Sequence, residues 1–232
     1  MSNCFAADKL KLWKSKTITV FMEKMQPNTS YHIFNHANGF ENVFREDENY
    51  RFFLEKYRIF ITPVVETYAY CLLPNHFHVV VRTRRREILE EIIRNKNNFS
   101  KVPNFGKVTD NEIERYLSKQ FANLFSSYTQ SFNKMYKRMG SLFIKNFRRE
   151  PIMDKEYFIN TIIYNHRNPI HHGFCTGFTD WGYTSFNEII ELKEETVEVE
   201  KIIKIFGSPD RFVELHEQNL VNFKQSFELE AP

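Results

Sequence analysis

Apolar positions along this chain change period several times, and each change marks an element. Tyr31-His32-Ile33-Phe34-Asn35 alternates like a strand and runs into the turn-rich His36-Ala37-Asn38-Gly39. From Arg45 to Phe60 the period lengthens, placing Tyr50, Phe53, Leu54, Tyr57 and Phe60 on one face of a helix that Pro63 closes. Ala69 to Arg82 predicts two apolar strands meeting at Pro74-Asn75, where proline fixes φ and Asn75 is expected in the left-handed region. A short helix over Glu87 to Arg94 and a polar loop over Asn95 to Asp110 come next. Glu112 to Tyr136 predicts a long helix striped by Ile113, Tyr116, Leu117, Phe121, Leu124, Phe125, Tyr128 and Phe132. Asp154 suits the N-cap of another, whose apolar stripe is Phe158, Ile159, Ile162 and Ile163, with His166 continuing it in a packing role. Pro169 is expected to end that helix at Asn168, because proline disfavours the helical conformation in the residue before it. Aromatic-rich Phe174 to Phe186 should fold back, and two helices finish the chain, about Val197 to Phe206 and one capped by Ser208 with Pro209 at its first position.

Composition narrows this picture. The 232 residues, with 24 Phe and 11 Tyr, suffice for one substantial core. Cys4, Cys71 and Cys175 are far apart and odd in number, which suggests neither a disulfide framework nor a cysteine zinc site. No run approaches the roughly 18 apolar residues that span a bilayer, so a soluble, cytoplasmic protein with no membrane partner is expected. The net charge of +3 hides an asymmetry: from Asn187 onward eleven acids face five bases, leaving the first 186 residues at +9. Three units are expected: a flexible basic arm over residues 1–21, a body over 22–186, and an acidic helical extension over 187–232. That extension is too small for a core of its own and must dock, either as a lid over a basic groove or as a cover on an apolar patch.

Between Arg115 and Arg149 no acid occurs, and the bases alternate with Tyr128, Tyr136, Phe143 and Phe147. Bases neutralise phosphates and aromatic faces stack nucleobases, so the mixture suits a single strand or hairpin better than a plain duplex, although a solvated helix with its aromatics in the core fits it equally. Arg84-Arg85-Arg86, Lys145, Arg148 and Arg149 are the candidate DNA contacts.

The sharper chemistry lies just after the hairpin turn. Side chains alternate along a strand, so His76 and His78 share a face and could grip one metal ion; the alternative leaves both as sheet-surface residues. On the later helix, Tyr157, Thr161, Tyr164 and Asn168 line one face, which brings Tyr164 and Asn168 within one turn of each other.

Leu73-Pro74-Asn75-His76-Phe77-His78 together with Tyr164-Asn165-His166-Arg167-Asn168-Pro169-Ile170-His171-His172-Gly173 resembles the single-tyrosine HUH transposases, in the REP-associated tyrosine transposase branch. The likeness spans about Met22 to Phe186, and departs from the family at His36 and at Gly182 after Trp181. It implies an α+β, ferredoxin-like antiparallel sheet with helices packed on one face and a helical C-terminal tail. It also implies His76, His78 and Asn168 as metal ligands, Tyr164 as nucleophile, and single-stranded or hairpin DNA as partner, with a homodimer left open. A divalent ion on the non-bridging oxygens would neutralise charge, and hard oxygen partners suit Mg2+ while imidazoles tilt the site toward Mn2+. Attack by tyrosine would leave a 5'-phosphotyrosine link and a free 3'-OH, in a nucleoid-associated cytoplasmic setting. Two rivals stand beside it: a metal nuclease that uses water, with Tyr164 merely packed, and a catalytically silent hairpin-binding protein.

Overall fold

The computed structural model describes residues 24–96 and 107–230. The expected arm over 1–21 and most of the loop over 95–110 lie outside the described residues. The elements in order are β1 (Ser30–His36), α1 (Asp47–Phe60), β2 (Val65–Leu73), β3 (His76–Thr83), α2 (Arg86–Lys96), α3 (Asp110–Met135), β4 (Arg148–Ile152), α4 (Lys155–His171), α5 (Phe186–Ile190), α6 (Val199–Phe206) and α7 (Pro209–Glu230). The four strands form one sheet in the order β2-β3-β1-β4, antiparallel throughout. The crossovers from β1 through α1 to β2, and from β3 through α2 and α3 to β4, give the expected ferredoxin-like α+β architecture.

One face of the sheet is the aromatic core. Phe77 of β3 lies 5.2 Å from Phe53 of α1 and 5.7 Å from Phe125 of α3, ring centre to centre, and Phe53 meets Tyr128 edge-on at 5.3 Å. A capping box fixes the start of α3: Glu112 N donates to Thr109 Oγ1, and Thr109 N donates to the Glu112 carboxylate at 2.8 Å. The opposite face receives α4, so helices cover both faces of the sheet and not only one. Asp154 caps α4 as expected, accepting from Tyr157 N at 2.7 Å.

Three local expectations are corrected. The α4 helix continues through Pro169 to His171, because proline deletes only one donor and the following amides find partners: His172 N on Asn168 O at 3.0 Å and Phe174 N on Pro169 O at 2.9 Å. Gly173, at φ +74°, then turns the chain. Asn75 has no positive φ; its side chain instead faces His76, with Oδ1 2.7 Å from Nδ1. β4 went unforeseen, since Arg148-Arg149-Glu150-Pro151-Ile152 is short, charged and contains proline, features that an edge strand tolerates.

The chain from Tyr183 into the C-terminal extension runs along the far side of β2. Leu72 N donates to Tyr183 O at 2.9 Å, Ser185 N to Tyr70 O at 3.0 Å and Glu198 N to Thr67 O at 2.9 Å, which closes that sheet edge. Ile202, Phe206, Phe212 and Leu220 are buried in the same core as the sheet residues, so the tail helices cover an apolar surface.

Candidate active site

Strand pairing assembles a histidine face. In the β1–β3 ladder His36 is paired with His76 and Phe34 with His78, and His32 stands two residues further along the same face of β1. His36 and His76 stack at 4.6 Å, and His172, just past α4, meets His76 edge-on at 5.2 Å. His76 and His78 themselves lie 5.1 Å apart, ring centre to centre.

Hydrogen bonds orient the pair. Asn75 Oδ1 can only accept, so His76 Nδ1 carries the proton and Nε2 keeps its lone pair. His78 Nδ1 lies 3.0 Å from His32 Nε2, which leaves Nε2 as its unengaged nitrogen. Burial holds these imidazoles neutral: His32 is lowered to about 4, His76 to about 3 with His36 and His172 adding to the effect, and His78 lies well below its ordinary value. Neutral imidazole is the form that binds a metal.

Tyr164 faces this cluster from α4. Its ring is edge-on to both His32 and His78 at 6.2 Å, and it is 39% exposed, enough for a substrate to reach the phenol. Tyr157, two turns earlier, is exposed at the helix start and is not among the ring neighbours of His78. Burial pushes the Tyr164 phenol above its ordinary value, while the nearby Asn168 amide and Arg167 guanidinium pull it back. Asn168 is 1% exposed, and neither its Oδ1 nor its Nδ2 has a hydrogen bond of ordinary length, although its amide lies close enough to Tyr164 to lower that phenol. Among the described residues no group of three or more His, Cys, Asp or Glu could hold a metal ion, so a third protein donor at the histidine pair would have to come from another residue type. The Asn168 amide oxygen, one turn from Tyr164, fits that need.

The DNA candidates separate. Lys145 and Arg148 are exposed, and Arg148, paired with Phe34, lies on the histidine face. Ile144 N donates to His36 O at 3.0 Å, which sets Lys145 beside the same end of the sheet. Arg149 turns to the other face, bonded to Ser118 at 2.8 Å and Glu114 at 3.3 Å. Arg84 is paired with Glu66 and Glu198, and Arg86 with Glu90 and Asp110; Arg85 is exposed, at the end of β3 remote from His76.

Sequence reasoning missed His32, His172, Arg167 and Glu150. Arg167 lies 6.0 Å over the Tyr164 ring and donates to Asn219 of α7 at 2.5 Å. Glu150 is paired with His32 across β1 and β4, its carboxyl is pushed up by burial, and its charge acts on Tyr164. The period-2 run His32-Phe34-His36 was a usable signal for the first, but only strand pairing says which face it joins.

No family model matches the chain. A relative from Haemophilus influenzae is 24% identical over 174 residues, covering 73% of this chain and 79% of its own length. That relative is named a REP-associated tyrosine transposase. The likeness is thus to the same family that the two motifs resemble. Among solved structures, a REP-associated tyrosine transposase bound to a REP hairpin overlays with a TM-score of 0.46 and 14% identity, covering 73% of this chain and 82% of that one. A bacterial tRNA(His) guanylyltransferase-like protein in complex with ATP overlays at 0.39 with 9% identity, covering 82% and 79% respectively.

Proposed function

We propose that this chain is a metal-dependent, single-stranded DNA endonuclease and strand transferase acting through a covalent 5'-phosphotyrosine link at Tyr164. The observation that carries the reading is the edge-on approach of Tyr164 to His78 and His32 at 6.2 Å, on the face where His76 also stands. His76 Nε2, His78 Nε2 and Asn168 Oδ1 would hold Mg2+ or Mn2+, which when bound supplies charge neutralisation at the phosphate. Tyr164 Oη attacks phosphorus, the bond from phosphorus to the 3' oxygen breaks, the phenol proton passes to solvent and the 3' oxygen takes one up. The product is again a phosphodiester, so a second 3'-OH can reverse the step without ATP. Tyr164 and the histidine pair meet within one chain, which supports catalysis in cis. The substrate class is single-stranded or hairpin DNA, in keeping with the hairpin named for the solved relative. A DNA-transposing activity in the cytoplasm, at the nucleoid, is the biological setting we assign; no helix among the described residues is long and apolar enough to cross a membrane.

The test is direct. Purified protein incubated with Mn2+ and labelled single-stranded DNA from the flanks of its own gene should give a denaturant-resistant adduct, mapped to Tyr164. Tyr164→Phe should abolish the adduct and keep DNA binding, and His76→Ala or His78→Ala should abolish it at limiting Mn2+. Cleavage with no adduct would instead establish water as nucleophile, and an adduct on Tyr157 would overturn the assignment.

A further inference from the structure

Beyond the histidines, a row of rings continues along the turn end of the sheet. His172, against His76, lies 6.4 Å from Phe174, and Phe174 lies 5.3 Å from Trp181. Trp181 is fixed by its indole N–H, which donates to Leu72 O at 3.0 Å, and by edge-on contact with Tyr183, itself stacked on Tyr50 at 3.6 Å. Phe174 is tied to the end of the Tyr164 helix through its own amide, on Pro169 O at 2.9 Å, yet its side chain is 45% exposed.

A single exposed phenylalanine ordinarily means nothing. Phe40, wholly exposed, is such a case. Phe174 differs because its backbone is anchored, one side is backed by a fixed indole, and the row of rings ends at a candidate metal ligand. On the other flank of the histidines stand the exposed bases Lys145 and Arg148. The arrangement across the strands is therefore aromatic rings, His76 with His36, and then positive charge, over about 15 Å at roughly 4.8 Å per strand. A polyanion with flat, apolar side groups matches that order: phosphates go to the bases and the histidine pair, and a base goes to the ring.

We infer that Phe174, backed by Trp181, is a stacking platform for an unpaired nucleobase next to the phosphate held at His76 and His78. This rests on the strand-transfer reading above and adds a base-binding subsite to it. Stacking needs only a π face, so the subsite selects single-stranded over paired DNA at that nucleotide without reading its sequence.

The experiment uses the full chain carrying Tyr164→Phe, with Mn2+ and single-stranded oligonucleotides from its own gene flanks, each bearing 2-aminopurine at one position along the strand. Quenching is expected at a position adjacent to the phosphate that the wild-type protein cleaves. Phe174→Leu should relieve that quenching and weaken single-strand binding by roughly 5- to 100-fold, while Phe174→Trp should keep both. Absence of quenching in the parent protein, or unchanged quenching and affinity in Phe174→Leu, overturns the platform. The two readings fail separately: no adduct on wild-type protein removes strand transfer, whereas an adduct without Phe174-dependent quenching removes only the base subsite.

Discussion

At the scale of single residues, the site is defined by which polar atoms are partnered and which are not. His76 and His78 have one nitrogen each engaged, while Asn168 has neither amide atom in a hydrogen bond of ordinary length although it is almost fully buried. A buried amide short of hydrogen bonds costs about 1–3 kcal/mol, a cost relieved when a cation takes its oxygen. Asn168→Leu is therefore expected to leave the metal-free protein as stable or more stable, and to reduce the rise in melting temperature that Mn2+ produces. An undiminished Mn2+ shift in this variant would remove Asn168 from the ligand set. His32 stands behind His78 as its hydrogen-bond partner at 3.0 Å. His32→Phe keeps the ring and loses that partner, so Mn2+ affinity by calorimetry should fall about 10- to 100-fold, and adduct formation should recover at saturating Mn2+.

At the scale of elements, α4 carries Tyr164 on one face and the attachment of the tail on another. His166 of α4 bonds Ser185 at 2.7 Å and His216 of α7 at 2.9 Å, and His216 in turn faces Phe212 O at 2.7 Å. The rings of Phe178, Phe186, Phe206 and Phe212 enclose this chain of bonds. Burial lowers both histidines, His216 to about 4 and His166 well below its ordinary value, so the docked tail holds them neutral. An undocked or unfolded chain takes protons near pH 6.5, so the stability linked to His216 is fully present above that pH and is lost as pH falls toward 4. For His216 this is worth about 3 kcal/mol, and His166 adds to the same slope. Melting curves at pH 7.5 and pH 5 should show the acid loss, and His216→Asn should reduce it, with the rest kept by His166, His32, His76 and His78. A pH-independent melting temperature across this window would contradict the buried neutral pair.

At the scale of the whole molecule, charge is sorted by the fold more than by the sequence. Of the six basic residues singled out as DNA contacts, Arg84, Arg86 and Arg149 are drawn into ion pairs, while Arg85, Lys145 and Arg148 are exposed. Arg84 is eight residues along from His76, about 25 Å away at roughly 3.3 Å per residue. Lys145→Ala with Arg148→Ala should therefore lower the salt slope of single-strand binding by about 1.4, at roughly 0.7 per phosphate contact. Arg149→Ala should leave the slope unchanged and destabilise the fold by about 1 kcal/mol, because the half-buried Glu114 loses its ion pair but keeps its hydrogen bond from Ser118. An equal slope change in both variants, read from binding across a salt titration, would refute the division.

The two apolar runs of Ala69 to Arg82 meeting at Pro74-Asn75, the stripe of the long α3 helix and the spacing of Tyr164 from Asn168 are local properties, and the sequence by itself determined them. The motifs named His76, His78, Tyr164 and Asn168, and folding brings His76, His78 and Tyr164 onto one face with Asn168 one turn from Tyr164. What only the tertiary structure decided is what depends on partners distant in the chain. β4 exists because an edge position excuses proline and charge, and α4 passes Pro169 because its last turn is packed and its amides are satisfied. His32 joins His78, Arg167 reaches Asn219, and three arginines are withdrawn from solvent through contacts over tens of residues that no local period encodes.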